Sequence, residues 1–273
     1  MATFFGEILP VRSRAVDDDE EDEDYESQAC PMTVRWSPAA KASMSERKDQ
    51  KMECLVFVMA IGPAATGFSQ TYITHTNYEI LGAVFGGMND GDINSIQQTS
   101  PADKCCYIYR NKEDPTVFVC QCNLTVLPEN SFSFVSQLFP CFDFDHATIS
   151  ILCTASTSEY KGEKPISDMN PPFLRALKTT KVIATPTCPY LEQPNMISGL
   201  PAQVMAECQM HNIKATMYIC FADTIFLDSL TMRAFIPVLQ TTPIKDIIQK
   251  NPKCNEMMRT LVDLHSQHNT LYL

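Results

Sequence analysis

The stretch from residue 62 to residue 69 has the glycine spacing of a loop that binds phosphate. It reads Gly62-Pro-Ala-Ala-Thr-Gly67-Phe68-Ser69. A phosphate-binding loop has two glycines at this spacing, then a lysine that contacts the β- and γ-phosphates, then a serine or threonine. Phe68 stands at the lysine position, so bound phosphates would lack a fixed counter-charge. We therefore interpret the stretch as a strand-to-helix turn; the alternative is an α/β-fold hydrolase or nucleotide-binding enzyme with a degenerate phosphate loop.

Two other groups of residues could hold a metal or exchange protons. Cys120 and Cys122 share one face of a predicted strand, but metal sites favour a two-residue gap and further ligands nearby, so we predict core cysteines. Asp143, Asp145 and His146 could act as acid and base, yet no second cluster completes a site. The remaining candidates lie on or beside predicted helices without evident partners: His211, His265 and His268. We predict a protein that is not an enzyme, with no catalytic residue, cofactor or metal.

Buried strands alternate with helices along the body of the chain. The continuous apolar run from Cys54 to Ile61 is typical of a strand covered on both faces. The runs 105–109 and 116–122 flank a polar connector, which predicts an antiparallel hairpin. Further strands are predicted at 148–153 and 213–221, and helices at 131–139, about 199–210, 228–240 and 252–267.

This alternation predicts a single α/β domain over residues 51–265, with a mixed, mostly parallel sheet flanked by helices. Residues 1–50 are expected to form a disordered acidic and polar N-terminal arm. Residues 266–273 are expected to form a flexible C-terminal tail.

The charge of the chain is concentrated in the arm. The net charge is −11, and residues 17–26 carry nine acidic residues without a base, which leaves −2 for the rest. A nearly neutral body without a basic stripe argues against nucleic acid and anionic membranes as partners.

The twelve cysteines are expected to be reduced, because the start from Met1 to Glu7 lacks the basic region of a secretory leader. The longest uninterrupted apolar run, which contains Leu55 to Ile61, is too short to span a bilayer. These features favour the cytoplasm, with the nucleus as a further location.

The last three residues, Leu271, Tyr272 and Leu273, follow a polar segment and could act as a docking tail. Leu271 offers an aliphatic anchor worth about 1.5–3 kcal/mol when fully buried. Tyr272 adds a ring whose hydroxyl can still hydrogen-bond. The terminal carboxylate can meet a lysine through a charge-assisted bond of about 1.5–3 kcal/mol. The pattern is similar to the hydrophobic-tyrosine-any tail with which proteasome activators and assembly factors enter pockets between α subunits of the core particle.

Segments of the body carry a more specific resemblance. They are Phe118-Val-Cys-Gln-Cys122, Pro172-Phe-Leu-Arg-Ala-Leu-Lys-Thr179, Cys188-Pro-Tyr-Leu-Glu-Gln-Pro-Asn195 and Leu200-Pro-Ala-Gln-Val204, together with Asp223, Leu227, Asp228 and the start from Ala2 to Glu7. These segments resemble the signature segments of the proteasome assembly chaperone 1 family. The likeness extends over nearly the whole chain and is strongest from about residue 116 to residue 240.

The resemblance implies a heterodimer with proteasome assembly chaperone 2, a structurally related partner. It also implies that the pair sits on proteasome α subunits while the 20S α ring assembles, promotes ring formation and blocks off-pathway association. Leu271, Tyr272 and Leu273 are then the α-ring-binding tail. The rival classes are the enzyme described above and a scaffold that uses its surface without the tail.

Overall fold

The computed structural model describes residues 32–86, 105–162, 166–224, 226–248 and 251–270. Its strands form one large sheet and one small pair. The large sheet has the order β1-β4-β5-β6-β3-β8-β10-β9, and the pair is β2-β7. The strands are β1 (Met32–Trp36), β2 (Met52–Glu53), β3 (Val56–Ile61), β4 (Tyr78–Gly86), β5 (Cys106–Asn111), β6 (Val117–Cys122), β7 (Phe142–Asp143), β8 (Thr148–Ser156), β9 (Phe173–Lys178) and β10 (Lys214–Ala222).

The helices cover both faces of this sheet. They are α1 (Pro38–Ser45), α2 (Pro63–Tyr72), α3 (Pro128–Leu138), α4 (Ile166–Met169), α5 (Gly199–Met210), α6 (Ser229–Ala234), α7 (Ile244–Ile247) and α8 (Cys254–Thr270). Shorter 3-10 turns lie at Phe139–Cys141, Thr157–Glu159 and Ile236–Gln240. The predicted helix over 228–240 is thus two elements, since Pro237 falls in the 3-10 turn that follows α6.

The side chains of strand β3 show that the sheet is covered on both faces. Phe57 and Met59 enter the core on the face of α3 and α5, whereas Val58 and Ala60 enter the core on the face of α2, α6 and α8. All four side chains are fully buried, because successive residues of a strand point to opposite faces. We call the two faces of the large sheet the α3/α5 face and the α2/α8 face.

Within the large sheet, parallel pairing between strands is confined to the four neighbours β6, β3, β8 and β10. Strand β3 pairs in parallel with β6 and β8, and β8 pairs in parallel with β10. The flanking pairs, including the predicted β5-β6 hairpin, are antiparallel. The predicted α/β fold with a mixed sheet flanked by helices is confirmed.

The folded domain includes part of the segment that the sequence analysis assigns to the arm. Strand β1 and helix α1 lie within residues 32–50, so the expectation of a disordered arm over residues 1–50 is wrong for this part. Met32, Val34 and Trp36 alternate along β1 and pack on the α3/α5 core. The Ala40 N–H donates to Ser37 Oγ at 3.2 Å, which caps α1. Residues 32–45 therefore belong to the folded domain, and the acidic segment 17–26 lies outside the described residues.

The last helix also extends further than predicted. Helix α8 ends at Thr270 instead of about residue 267, so residues 266–270 of the predicted tail are helical. Leu271, Tyr272 and Leu273 lie outside the described residues.

Candidate functional site

The glycine-bearing turn lies where ligands bind in many α/β proteins, at the carboxyl ends of parallel strands. Gly62 precedes α2 with φ of 90°, a conformation that favours glycine. Its N–H donates to the Cys122 carbonyl at 2.8 Å, which joins the end of β3 to the end of β6. A cavity of about 370 Å³ opens beside it and is also lined by Thr154 and Ser198.

The cavity does not have the electrostatics of a phosphate site. Among the described residues that line it, Glu159 alone is charged, and no lysine or arginine contributes. Phosphate-binding loops place a lysine against the phosphates. A carboxylate in that setting repels an anion.

Phe68 and Ser69 are turned away from this cavity and into the core. Both side chains are fully buried. The Phe68 ring packs against Tyr72 and Phe235 at centroid distances of 5.1 and 5.5 Å. The Gln121 side-chain amide donates to Ser69 Oγ at 3.3 Å. The two positions that would hold phosphate and magnesium therefore stabilise the packing of α2, which supports the interpretation as a strand-to-helix turn.

The acidic and histidine candidates do not assemble into one site. The Asp145 N–H donates to Asp143 Oδ1 at 3.2 Å, a local turn, and Asp145 and His146 are exposed. His211 lies at the end of α5, 3.1 Å from Glu207. The described residues contain no group of three or more histidine, cysteine or acidic residues that could hold a metal.

The strand cysteines lie in the core of the α3/α5 face. Cys106, Cys120 and Cys122 are fully buried on β5 and β6. Cys106 Sγ lies 3.2 Å from Cys120 Sγ, and all eleven cysteines in the described ranges are free thiols. Burial raises the pKa of Cys106 well above its ordinary value, which keeps the thiol protonated and unreactive.

We expect thiol titration in denaturant to find all twelve cysteines free, and metal analysis to find far less than one zinc per chain. In the native protein at pH 7, reaction should be slow even at the half-buried Cys188, because burial raises its pKa to about 11. Ellman's reagent with and without denaturant provides the measurement. A stoichiometric metal, or fewer than twelve thiols in denaturant under reducing-agent-free conditions, would contradict it.

A buried arginine connects two of the distinctive sequence segments. Arg175 on β9 stacks over the rings of Phe173 and Tyr160, at 4.9 and 5.4 Å from their centroids. Its Nη2 donates to the Tyr160 hydroxyl at 3.1 Å, and its Nη1 donates to the Leu174 carbonyl at 2.9 Å. The Tyr160 hydroxyl in turn donates to the Glu192 carboxylate.

The segment that contains Glu192 covers the outer edge of β9. Ala176 donates its N–H to the Pro189 carbonyl and accepts from the Leu191 N–H, both at 2.9 Å. An open strand edge is a pairing surface for other chains. The Arg175 cluster therefore holds a segment in place that closes this edge of the sheet at Ala176.

Replacing Arg175 by alanine is expected to lower the free energy of unfolding by about 2–4 kcal/mol, through lost ring contacts and hydrogen bonds. Glu192 is about half exposed and can regain water, which limits the loss. Arg175→Lys keeps the charge but loses the planar stacking, so we expect about half of that loss. Urea unfolding measures both; equal stability of Arg175→Ala and the unmodified chain would show that the cluster contributes little.

The first part of helix α8 packs on the α2/α8 face. Met258 and Leu261 are buried against that core. The Asn251 side-chain amide donates to the Thr71 carbonyl at 2.8 Å, which fixes the chain just before the helix. Seventeen residues of helix follow, a length of about 25 Å. The three tail residues therefore continue from the end of a long helix that is anchored to the domain near its start.

The chain is similar to known proteins over its full length. Proteasome assembly chaperone 1 of Xenopus laevis is 33% identical over 288 residues, and the human protein of that name is 30% identical over 285 residues. These alignments cover 100% and 99% of both chains, respectively. The PAC1 family model, described as Proteasome assembly chaperone 4, matches residues 1–273.

The chain belongs to the PAC1 family of proteasome assembly chaperones. The description of the family model and the names of the relatives differ in the chaperone number, and the full-length identity to the relatives supports chaperone 1. The family assigns the chain a role in proteasome assembly. The names of these relatives are those of chaperones, which is consistent with a role other than catalysis.

Solved structures share the fold at low identity. Pyrococcus furiosus PbaA, an archaeal homolog of proteasome-assembly chaperone, has a TM-score of 0.58 at 9% identity and covers 89% of this chain and 100% of its own. Pyrococcus furiosus PbaB, an archaeal proteasome activator, has a TM-score of 0.53 at 11% identity with the same coverage. A Thermoplasma acidophilum protein of unknown function has a TM-score of 0.60 at 14% identity and covers 86% of this chain and 94% of its own. Within the described ranges, no helix has the length and apolar character needed to cross a membrane.

Proposed function

We propose that the chain promotes assembly of the 20S proteasome α ring as a heterodimer with proteasome assembly chaperone 2. Its tail, Leu271, Tyr272 and Leu273, docks in a pocket between α subunits. The observation that carries the proposal is the full-length similarity to proteasome assembly chaperone 1 from several vertebrates. The proposal places the chain in the cytoplasm, and also in the nucleus.

The position of the tail supports this role. Helix α8 ends at Thr270, so the three tail residues follow directly on a long helix. The energy of one aliphatic side chain, one ring and one ion pair is only a few kcal/mol. Association costs an estimated 4–15 kcal/mol in lost freedom. The tail therefore needs the folded domain and the partner to hold it near its pocket.

The two edges of the sheet differ in a way that suits a partner with a related fold. The edge strand β9 is closed at Ala176 by the segment that Arg175 holds. At the other edge, β1 pairs with β4 on one side, and no described strand pairs with its outer side. The Ser37 N–H bonds to the Leu81 carbonyl, so by alternation the backbone groups of Val34 and Trp36 face outward. This edge is where we expect a partner strand to pair.

Residues 1–31 are not expected to contribute to the contact between the two chains of the heterodimer. A chain that begins at Met32, co-expressed with the partner, should still form a one-to-one complex on size exclusion with light scattering. A chain that begins at residue 51 is the informative comparison, because it loses β1 and α1 and should pair poorly. If the chain from Met32 elutes alone while the full chain pairs, the arm contributes the contact.

Affinity purification from a lysate that assembles proteasomes tests the proposal as a whole. Identification of the bound chains should return proteasome α subunits and the related chaperone in comparable amounts. Recovery of neither, with a folded bait, would contradict the proposed function.

A further inference from the structure

We infer that a cleft at the amino ends of β8 and β10 binds an acidic, extended segment of a partner protein. The cleft has a volume of about 430 Å³ and lies between the loop 181–187 and residues 240–243. Thr148 and Lys214, the first residues of β8 and β10, line its floor. We call it the lysine cleft. The site is separate from the glycine-bearing turn.

The charge of the lysine cleft is opposite to that of the chain. Its charged lining residues are Lys181 and Lys214, and no aspartate or glutamate lines it. Neither lysine has an ion-pair partner among the described residues. In a chain with a net charge of −11, two unpaired lysines in one concave site form a local positive field. Hydroxyl groups from Thr185, Thr187 and other threonines can donate to carboxylates beside them.

Hydrogen bonds within the chain fix the loop 181–187, which forms one wall of the lysine cleft, in the absence of a partner. Lys178 Nζ donates to the Ala184 carbonyl at 3.2 Å and lies within 3.5 Å of the Ile183 carbonyl. Thr180 and Gln209 exchange two hydrogen bonds of 3.0 Å each, N–H to Oε1 and Nε2 to Oγ1. Preorganisation reduces the entropy lost on binding.

An apolar contact lies at the rim of this wall. Ile183 lines the cleft and is 95% exposed. An exposed isoleucine on an ordered loop beside two lysines fits a segment that combines carboxylates with one apolar residue.

The acidic tract of the same chain is poorly placed to fill the lysine cleft. Met32 lies at the carboxyl edge of the sheet, because β1 runs antiparallel to the central strands. Six strand spacings separate β1 from β10, a distance of about 29 Å, and the cleft lies at the opposite, amino edge. The five residues 27–31 between Glu26 and Met32 span at most about 20 Å. Glu26 therefore cannot reach the cleft, and the acidic residues further from Met32 could do so only through a largely extended connection, which favours a segment of another protein.

Fluorescence anisotropy on the full chain tests the inference. The probe is a labelled acidic peptide with the sequence of residues 17–26, and its matched control has every carboxylate replaced by an amide. The acidic probe should bind and weaken several-fold between about 50 and 300 mM salt, and the amide probe should not bind. Lys181→Glu with Lys214→Glu should weaken binding at least tenfold. Lys41→Glu with Lys48→Glu, the same charge change at exposed positions in and after α1, should change it less than twofold.

Three results would overturn the inference, provided that thermal melting shows all variants folded. They are no binding of the acidic probe, equal binding of the two probes, or equal loss in both pairs of charge reversals. A separate variant of the full chain tests which segment occupies the cleft. In it, the nine carboxylates of residues 17–26 are replaced by amides. If that variant binds the probe at least fivefold more tightly than the unmodified chain, the chain's own tract occupies the lysine cleft, and a partner segment is not its occupant.

Discussion

Phe68→Lys is expected to destabilise the protein by at least about 4 kcal/mol and to create no nucleotide site, although it completes the phosphate-loop pattern in sequence. The Phe68 side chain is fully buried between Tyr72 and Phe235. Removing a buried ring costs about 3–5 kcal/mol, and an unpaired ammonium at the same place adds a desolvation penalty. Since a domain has about 5–15 kcal/mol of stability in total, urea unfolding should show a large shift or an unfolded variant.

Phe68→Leu is the matched control, because it keeps an apolar side chain at the same position. We expect it to cost about 1–2 kcal/mol. Equilibrium dialysis with labelled ATP and Mg²⁺ should show no specific binding to the unmodified chain or to either variant. A Phe68→Lys variant that unfolds at the same urea concentration as the unmodified chain and binds ATP would restore the enzyme alternative.

The central part of the fold could be predicted because its sequence signals are local. The apolar run from Cys54 to Ile61 is strand β3 at residues 56–61, and the predicted hairpin is the β5-β6 pair. The presence of Phe68 where the phosphate-loop pattern has a lysine was enough to indicate a structural turn. Each of these inferences needed only the spacing of neighbouring residues.

The features that the sequence analysis missed depend on contacts distant in sequence. Strand β1 is only five residues long, so its alternation of Met32, Val34 and Trp36 is a weak signal, and its partner β4 lies about fifty residues further along the chain. The Arg175 cluster joins residues from three segments, so its members cannot be grouped from spacing. One signal was available: a charged residue within the apolar run from Phe173 to Leu177 indicates either an edge strand or a buried ion pair.

Tyr272→Ala is expected to weaken capture of α subunits by at least tenfold while leaving the heterodimer intact. The ring contributes about 1.5–3 kcal/mol when buried in a pocket, and about 1.4 kcal/mol corresponds to a factor of ten in affinity. Heterodimer formation should not change, because the tail lies beyond the anchored part of α8 at Met258 and Leu261. Pull-down of α subunits by tagged heterodimer, quantified against the partner chaperone, measures both quantities at once.

A synthetic peptide of the last seven residues is the control for the tail as an isolated ligand. Because the tail is held near its pocket by the rest of the complex, the free peptide lacks that effective concentration. It should compete with the intact heterodimer only at concentrations far above those of the heterodimer. A peptide that competes at equal concentration would show that the folded domain contributes nothing to α-ring capture.

Appending one residue after Leu273 tests the central claim most directly, because it moves the terminal carboxylate without removing apolar surface. The measurement is the amount of α subunit that co-purifies with the heterodimer carrying this extended chain, relative to the unmodified one. The proposed function predicts at least a tenfold loss with an unchanged one-to-one heterodimer, since the charge-assisted bond of about 1.5–3 kcal/mol is lost. If the extended chain and Tyr272→Ala each capture as much α subunit as the unmodified chain does, the tail has no role and recognition of the α ring lies on the folded domain.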